Sequence, residues 1–303
     1  MDISDSVRRK QPLLGTFVEI AAAGAARGDL HEVLDDAFAA VAQVHRLMSF
    51  HDPQSDVSRL NREAFAGAVP VHAWTYQVLE AAIELNRESS GVFDMTVAPL
   101  LQQRGLLPRG AGDPAPAADR ITAAGAVELL GDRRVRYRHP GITIDLGGIA
   151  KGFAVDRALD VLRGRGLVRG LVNAGGDLAA FGPEPELVHL RHPANAGRVL
   201  GWAAISNAAL ASSGRTFDLL QFAEAGDCAV FDPMTQGPVR GIVGATVRAP
   251  CCMIADALTK VVMIAGEASE RLLQRYRASA LFVLESGDVW ITPDWQDAVR
   301  LAA

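Results

Sequence analysis

Apolar residues recur at helical spacing in several long stretches of the chain, and these predict its helices. Four helices are predicted, over about 29–48, 75–86, 151–163 and 253–265. Asp29 is a candidate N-cap for the first, and Gly266 closes the last. Residues 48–61 are mostly polar and are predicted to form a loop after the first helix.

Shorter apolar stretches between turn residues predict strands. They lie at 18–22, 134–137, 142–146, 170–172, 187–190, 203–205 and 241–248. The stretches 134–137 and 142–146 are expected to pair around the turn at Pro140-Gly141. Helices and strands mix without regular alternation, so the expected fold class is α+β. We expect one domain over 1–303 with two packed lobes, and the Gly-, Pro- and Ala-rich stretch 104–118 is a possible junction.

Residues 142–156 predict a strand that runs through Gly147 and Gly148 into a helix. Adjacent glycines let backbone N–H groups converge at a helix N-terminus, where the partial positive charge favours a phosphate. Lys151 adds a full positive charge in the first turn. A tight connection without a ligand explains the same residues equally well, since the spacing matches neither Gly-x-Gly-x-x-Gly nor a Walker loop.

Two further turns are predicted to bring backbone groups towards the same ligand. The second contains Asn173, Gly175, Gly176 and Asp177, and the third contains Ser212, Ser213 and Gly214. Asp145 and Asp177 would repel a phosphate unless a cation or the edge of a base lies between, and this indicates a divalent metal.

Composition narrows the class of protein. The chain has 303 residues, of which 49% are hydrophobic, and a net charge of −5, so it can bury a large core and nucleic acid is not expected as a partner. Its three cysteines, Cys228, Cys251 and Cys252, favour a reducing compartment, and Cys251 and Cys252 are expected to be packed in the interior. No apolar run follows Arg8-Arg9 as in a signal, and no stretch is long enough for a membrane span, so a cytoplasmic location is expected.

Six blocks of the sequence follow one another in an order that covers nearly the whole chain. They are LGTFVEI (14–20), MSFHDPQSDVSRLN (48–61), SSGVFDMTVAPL (89–100), IDLGGIAKGFAVDRA (144–158), VNAGGDLAAFG (172–182) and CMIADALTKVVMIAG (252–266). In this order the blocks resemble the ApbE family of FAD:protein FMN transferases. The resemblance implies a T-fold-related, two-lobed mixed α/β architecture. It also implies FAD and Mg²⁺ as cofactors, and transfer of FMN from FAD to a threonine-containing motif of an acceptor protein with release of AMP.

Site residues follow from the resemblance motif by motif. Cofactor-binding residues would be Met48, Ser49, Phe93, Asp94, Thr96, Gly147, Gly148, Lys151, Asp156, Asn173, Gly175, Gly176 and Asp177, with Ser213 from the third turn. The metal would be held by the Ala150 carbonyl, the Asp256 carboxylate and Thr259, and catalysis would involve Asp256, Thr259 and Lys260. Phosphoryl transfer depends mainly on positioning and charge neutralisation, which such a site supplies.

The chain departs from the family pattern at several positions. The family has Thr or Asp four residues after the metal-binding Asp, whereas this chain has Lys260 there and Thr259 at three. The family block His-x-x-Asp-Pro-x-Thr-Gly stands here as AVFDPMTQG, with Ala229 in place of histidine and Gln236 inserted. The residues before the first block do not read as the lipoprotein signal that the family pattern has, so a cytoplasmic location is expected on this ground too. Two alternatives therefore stay open: an FAD-binding protein without transfer, and an FAD pyrophosphatase that yields FMN and AMP.

The Gly-Ala-Thr at 244–246 is similar to a flavinylation acceptor site. The acceptor pattern also has an acidic residue six positions before the threonine, and Arg240 stands there instead. A core strand is therefore the preferred interpretation of Thr246, and modification of the chain by itself is not expected.

Overall fold

The computed structural model describes residues 6–24, 29–109, 122–215 and 230–302. The helices within these ranges are α1 (Leu30–Met48), α2 (Asp56–Glu63), α3 (Ala73–Glu88), α4 (Ala98–Gln103), α5 (Ala123–Ala126), α6 (Ala150–Gly164), α7 (Cys252–Ala265) and α8 (Glu270–Arg275). The strands of the first half are β1 (Ser6–Leu13), β2 (Thr16–Ala23), β3 (Val69–Pro70), β4 (Val127–Leu130) and β5 (Arg134–Tyr137). Those of the second half are β6 (Arg169–Ala174), β7 (Asp177–Phe181), β8 (Glu186–His192), β9 (Asn195–Ile205), β10 (Ala208–Gly214), β11 (Phe231–Asp232), β12 (Gly237–Pro238), β13 (Ile242–Ala249), β14 (Ser279–Leu284), β15 (Val289–Ile291) and β16 (Val299–Leu301).

An eight-stranded antiparallel sheet organises the fold, in the order β1-β2-β6-β7-β10-β13-β14-β15. Side chains alternate between its two faces, as the pleat of a strand requires. Ala209 and Ala211 of β10 join the core under α1, α6 and α7, whereas Leu210 joins a second core with β8, β9 and β16. The sheet is therefore covered by helices on one face and by a three-stranded sheet, β16-β9-β8, on the other. This arrangement confirms the α+β class.

The four helices predicted from apolar spacing are confirmed, each within two residues at either end. The Asp29 side chain accepts a hydrogen bond from the His31 N–H, so it caps α1 as expected. Gly266 has a φ of 54° and ends α7, a conformation that glycine adopts at little cost. Amphipathic helices with a wide apolar face were thus readable from the sequence.

The loop predicted over 48–61 is wrong in its second half, because α2 begins at Asp56. Ser55 caps it by accepting a hydrogen bond from the Ser58 N–H at 3.0 Å. The helix is two turns long and buries only Val57 and Leu60 as apolar side chains, so its sequence carries too little periodicity to reveal it.

The strand predicted over 142–146 is also wrong. β5 is present at 134–137 but pairs with β3 and β4. The Asn61 side chain instead bonds the backbone of Ile144 on both sides, with Nδ2 donating to the carbonyl at 3.0 Å and Oδ1 accepting from the N–H at 2.9 Å. Asp145 N–H donates to the Met95 carbonyl. Because side chain and loop satisfy these backbone groups, the segment needs no partner strand.

The two later glycine turns have different outcomes. Gly175 and Gly176 form the hairpin turn between β6 and β7, both with positive φ. Ser212, Ser213 and Gly214 are not in a turn, since they lie within β10 and pair with β13. Small residues are typical of turns but also occur in central strands, which explains why a turn was wrongly predicted here.

The predicted junction over 104–118 lies outside the described residues from position 110 onward, as do Cys228 and Ala229. None of the helices in the described ranges combines the length and the apolar character needed to cross a lipid bilayer.

Candidate functional site

The N-terminal turn of α6 lies against α7 at the centre of the candidate site. A Cβ atom on Gly152 would lie 2.2 Å from the Cys252 carbonyl oxygen, so only glycine lets the two helices approach this closely. The Gly152 N–H donates to Oδ2 of Asp256 at 3.1 Å. Asp256 is fully buried, and its carboxylate lies at the positive end of α6. The structure thus brings together two of the six sequence blocks, 144–158 and 252–266.

Lys260 binds the other side of the same carboxylate. Its Nζ donates to Oδ1 of Asp256 and, at 3.0 Å, to the Asp256 backbone carbonyl. The two residues are one helical turn apart and therefore share a face of α7. A Cβ atom on Gly148 would lie 3.5 Å from Cε of Lys260 and 3.7 Å from the Phe93 ring. The lysine stem therefore passes between Asp256 and the Gly-Gly turn.

A second lysine and aspartate pair lies beside the first. Lys151 Nζ is 3.0 Å from Oδ2 of Asp177, which is the first residue of β7 and is 1% exposed. Burial raises the pKa of Asp177 and the neighbouring Asp256 carboxylate raises it further, while Lys151 and Lys260 oppose the shift. The two carboxylates and two ammonium groups therefore form one electrostatic cluster.

Asp145 borders this cluster on the side of the Gly-Gly turn. Its Oδ2 accepts the Gly147 N–H at 3.1 Å. Burial raises the pKa of Asp145, and the charges of His51 and Lys260 oppose that shift. Asp145 therefore belongs to the same electrostatic environment as Lys260.

The backbone N–H groups of the turn are largely bonded within the chain. Gly147 donates to Asp145, Gly152 donates to Asp256, and Ile149 and Ala150 both donate to the Leu146 carbonyl. The phosphate cradle expected from converging amides is therefore less open than the glycine pattern suggested. Positive charge at the site is supplied mainly by the two lysines.

Thr259 and Ser213 link α7 to the central sheet. Their hydroxyl oxygens are 2.7 Å apart, and Thr259 also donates to the Asp256 carbonyl at 2.6 Å. Both residues were expected at the site, and the structure brings them together directly behind Asp256. The hydroxyl of Thr259 is thus engaged within the protein.

Several other predicted site residues hold backbone segments in place. Asp94 accepts from the N–H and hydroxyl of Thr96, and Asn173 accepts the Gly176 N–H in the hairpin turn. Asp156 accepts the Cys252 and Met253 N–H groups at 2.7 and 2.9 Å, and burial raises the pKa of Asp156 to about 6.

The residues at the end of α1 hold the loop that follows it. The hydroxyl of Ser49 accepts the His51 N–H, and its carbonyl accepts the Ser55 hydroxyl. Met48 is buried at the end of α1. Ligand contacts by these residues, and by Asp94, Thr96, Asn173 and Asp156, stay predictions.

Asn61 is the residue of this region whose role the sequence did not reveal. It holds Ile144, three residues before Gly147, and its Oδ1 also accepts the Tyr137 hydroxyl at 3.2 Å. It closes the MSFHDPQSDVSRLN block, so its place in a matched motif was the available signal.

The remaining sequence features have structural explanations. Thr246 is 7% exposed within β13 and its hydroxyl is 2.9 Å from that of Ser212, so the core-strand interpretation is confirmed. Burial raises the pKa of Cys251 to about 11 and that of Cys252 well above its ordinary value, which agrees with packing rather than thiolate chemistry. The inserted Gln236 takes a left-handed conformation in the turn before β12.

The described residues do not fit a divalent metal in this arrangement. Among them no three His, Cys, Asp or Glu side chains are placed to hold one, so the ion would depend on the Ala150 carbonyl and Thr259 beside Asp256. Both oxygens of the Asp256 carboxylate are already bonded, to Gly152 and to Lys260. A cation at Ala150, Asp256 and Thr259 would have to displace the lysine ammonium first.

Comparison with solved structures shows that the chain shares its fold with ApbE proteins. The ApbE protein of Thermotoga maritima is 26% identical and superposes with a TM-score of 0.84, covering 98% of this chain and all of its own. The flavin transferase ApbE of Vibrio cholerae, at 22% identity and a TM-score of 0.81, shares the fold over 97% of this chain and 99% of its own.

Sequence comparison gives the family. The ApbE family profile matches residues 14–282, and the chain belongs to the ApbE family. The FAD:protein FMN transferase of Vibrio cholerae is 28% identical, and the alignment covers 74% of this chain and 71% of the relative. That of Haemophilus influenzae is also 28% identical, over 78% and 72%. The relative in Rhodobacter capsulatus, at 27% identity, aligns with 93% of this chain but only 56% of its own length.

Proposed function

We propose that this chain is an FAD:protein FMN transferase, which moves FMN from FAD to a threonine hydroxyl of an acceptor protein and releases AMP. Family membership and the activity named for the relatives support the proposal. The structural observation that carries it is the meeting of Lys151, Lys260 and the Gly147-Gly148 turn beside α6. Two ammonium groups at a helix N-terminus suit a diphosphate.

The chemistry requires positioning more than it requires a reactive side chain. The threonine oxygen forms a bond to the phosphorus of the FMN half, and the bond from that phosphorus to the bridging oxygen breaks. AMP leaves with the bridging oxygen, and the hydroxyl proton passes to water. Lys151 and Lys260 would hold the diphosphate and offset the charge that grows on the leaving AMP. Gly148, which lacks a side chain beside Lys260, would leave room for the phosphate to approach.

The dependence on Mg²⁺ that the family resemblance implies stays a prediction. Ala150, Asp256 and Thr259 would hold the ion, but the bond between the Asp256 carboxylate and Lys260 does not favour it. No step above therefore passes through a metal. The cytoplasmic location also stays a prediction.

A direct assay separates the proposal from its alternatives. Purified protein is incubated with FAD and an acceptor domain bearing a Ser-Gly-Ala-Thr motif, with and without Mg²⁺, and the products are identified by mass spectrometry. Covalent FMN on the acceptor, lost when its threonine is replaced by alanine, supports transfer. Free FMN and AMP without modified acceptor would identify an FAD pyrophosphatase. Intact FAD bound to the protein would identify a flavin-binding protein without transfer.

A further inference from the structure

We propose that Lys260 is the resident cation of this site, and that its ammonium serves where a divalent metal would otherwise join Asp256 to a diphosphate. The inference rests on the proposed function, because it concerns how the same site holds FAD. Its consequence is that this chain binds the diphosphate of FAD without Mg²⁺.

The position of the Lys260 ammonium is the first argument. Nζ contacts a carboxylate oxygen and the backbone carbonyl of Asp256, which are the kinds of oxygen that a hard cation prefers. The lysine side chain is 19% exposed, and the carboxylate is fully buried. A buried carboxylate needs a positive partner, and here the chain itself provides one.

The path of the lysine stem is the second argument. Its Cε lies next to Gly148, so the ammonium stands between Asp256 and the turn expected to meet the phosphates. Lysine carries three donors on a flexible stem. Nζ can therefore keep its bond to Asp256 while another of its protons reaches a phosphate oxygen, as a bridging metal would.

The neighbouring ion pair is the third argument. Lys151, which forms an ion pair with Asp177, supplies a second ammonium group to the same cluster. A divalent ion entering beside Asp256 would meet repulsion from both lysines and would have to move Lys260 from its oxygens. Most amides of the α6 N-terminus are already bonded within the chain, so ammonium groups are the main donors left for a diphosphate.

Two measurements test the inference. The first is the binding of Mn²⁺ to the ligand-free protein, followed by electron paramagnetic resonance. The second is the affinity for FAD in EDTA and in Mg²⁺, followed by the quenching of flavin fluorescence. Three proteins are compared: wild type, K260T and K260M. K260T restores the residue type of the family at this position, and K260M keeps the side-chain length but removes the charge. Circular dichroism melts verify that each variant folds.

We expect wild type to bind no Mn²⁺ at sub-millimolar concentration and to bind FAD with equal affinity in EDTA and in Mg²⁺. K260M should lose about tenfold or more in FAD affinity in EDTA. K260T should gain Mn²⁺ binding, and Mg²⁺ should restore its FAD affinity.

Tight Mn²⁺ binding by ligand-free wild type, or a tenfold loss of wild-type FAD affinity in EDTA, would overturn the inference. So would K260M binding FAD as wild type does. Failure of the proposed function can be distinguished from failure of the inference, because Mn²⁺ binding can be measured even if the chain binds no FAD under either condition. In that case, Mn²⁺ binding by K260T but not by wild type would support Lys260 as the resident cation in a site for some other phosphate ligand.

Discussion

Asp156 of α6 and Asp256 of α7 each accept backbone N–H groups from the helix that carries the other. Asp156 receives the N–H groups of Cys252 and Met253, and Asp256 receives that of Gly152. Neither helix has a side-chain cap from its own N-cap residue. The exchange satisfies donors that would otherwise be buried without partners, and it fixes Asp256 relative to the Gly-Gly turn.

The unusual environment of Asp156 should be visible in the pH dependence of stability. Burial raises the pKa of Asp156 from 3.8 to about 6, so between these values the folded chain holds a proton that the unfolded chain has lost. The contribution of Asp156 to the free energy of unfolding therefore falls as pH rises through this window, by at most about 1.4 kcal/mol per pH unit. Asp156→Asn should remove that contribution.

Urea denaturation of wild type and D156N at several values between pH 4 and pH 7 measures this difference. The stability of wild type relative to D156N should be greatest at the acid end and decline by about 2 kcal/mol between pH 4 and pH 7. Glu63→Gln, which removes a half-exposed carboxylate of α2, controls for net charge. Parallel pH profiles for wild type and D156N would show that the pKa of Asp156 is not raised.

Replacement of Gly152 by alanine should destabilise the helix pair. The added methyl group would lie 2.2 Å from the Cys252 carbonyl oxygen, and its three nearest neighbours are all backbone atoms of Cys252 and Met253, so no flexible side chain can move aside. Separating α6 from α7 should cost about 2 kcal/mol or more. The control is Gly164→Ala at the end of the same helix, where no atom lies within 4 Å of the new methyl group.

Thermal and chemical denaturation of the two variants provide the comparison. G164A should be neutral or more stable by up to about 1 kcal/mol, since alanine favours a helix and restricts the unfolded chain. Equal stability of G152A and G164A would mean that the two helices do not approach as closely as the structure shows.

The sequence was most informative where one element carries its own pattern. α1 and α7 each bury an apolar face, so spacing alone located them. The sequence was least informative where the hydrogen-bond partner of a segment lies far away along the chain. Residues 142–146 look like a strand because they are apolar, but their backbone is held by Asn61, 83 positions before Ile144.

The same limit applies to the candidate site. Motifs led to Lys151, Asp177, Asp256 and Lys260 as a set, and the structure joins them in one cluster. The pattern of residue types could not say which lysine binds which carboxylate, because that depends on how α6, α7 and β7 pack. Spacing placed Asp256 and Lys260 on one face, yet only the structure shows both carboxylate oxygens engaged.

Asn61→Ala should weaken both the fold and the site. Ile144 is fully buried, so its N–H and carbonyl would lose their partners where water does not reach them. Two unsatisfied backbone groups should cost about 2–4 kcal/mol in the free energy of unfolding. The segment leading to Gly147 would also be less ordered, so FAD affinity should fall.

Arg62→Ala is the matched control, because Arg62 follows Asn61 on α2 but its side chain is half exposed. Its effect on stability should be about 1 kcal/mol or less, since its hydrogen bond to the Pro53 carbonyl and its ion pair with Glu63 lie at the surface. Denaturation in urea gives the stability, and flavin fluorescence gives the affinity. An N61A protein as stable as R62A would remove the explanation given for the unpaired segment.

Lys151→Met should weaken FAD binding without unfolding the protein. The substitution keeps the length of the side chain but removes the ammonium that lies 3.0 Å from Asp177. A diphosphate would then meet one cation fewer and an unpaired buried carboxylate, so affinity should fall about tenfold or more, equivalent to about 1.4 kcal/mol. Lys10→Met, on the edge strand β1, makes the same change in net charge and should alter affinity less than about twofold, because its side chain is exposed and solvent screens its charge. Titration of flavin fluorescence at neutral pH measures both, and equal affinities for K151M and K10M would exclude Lys151 from the diphosphate site.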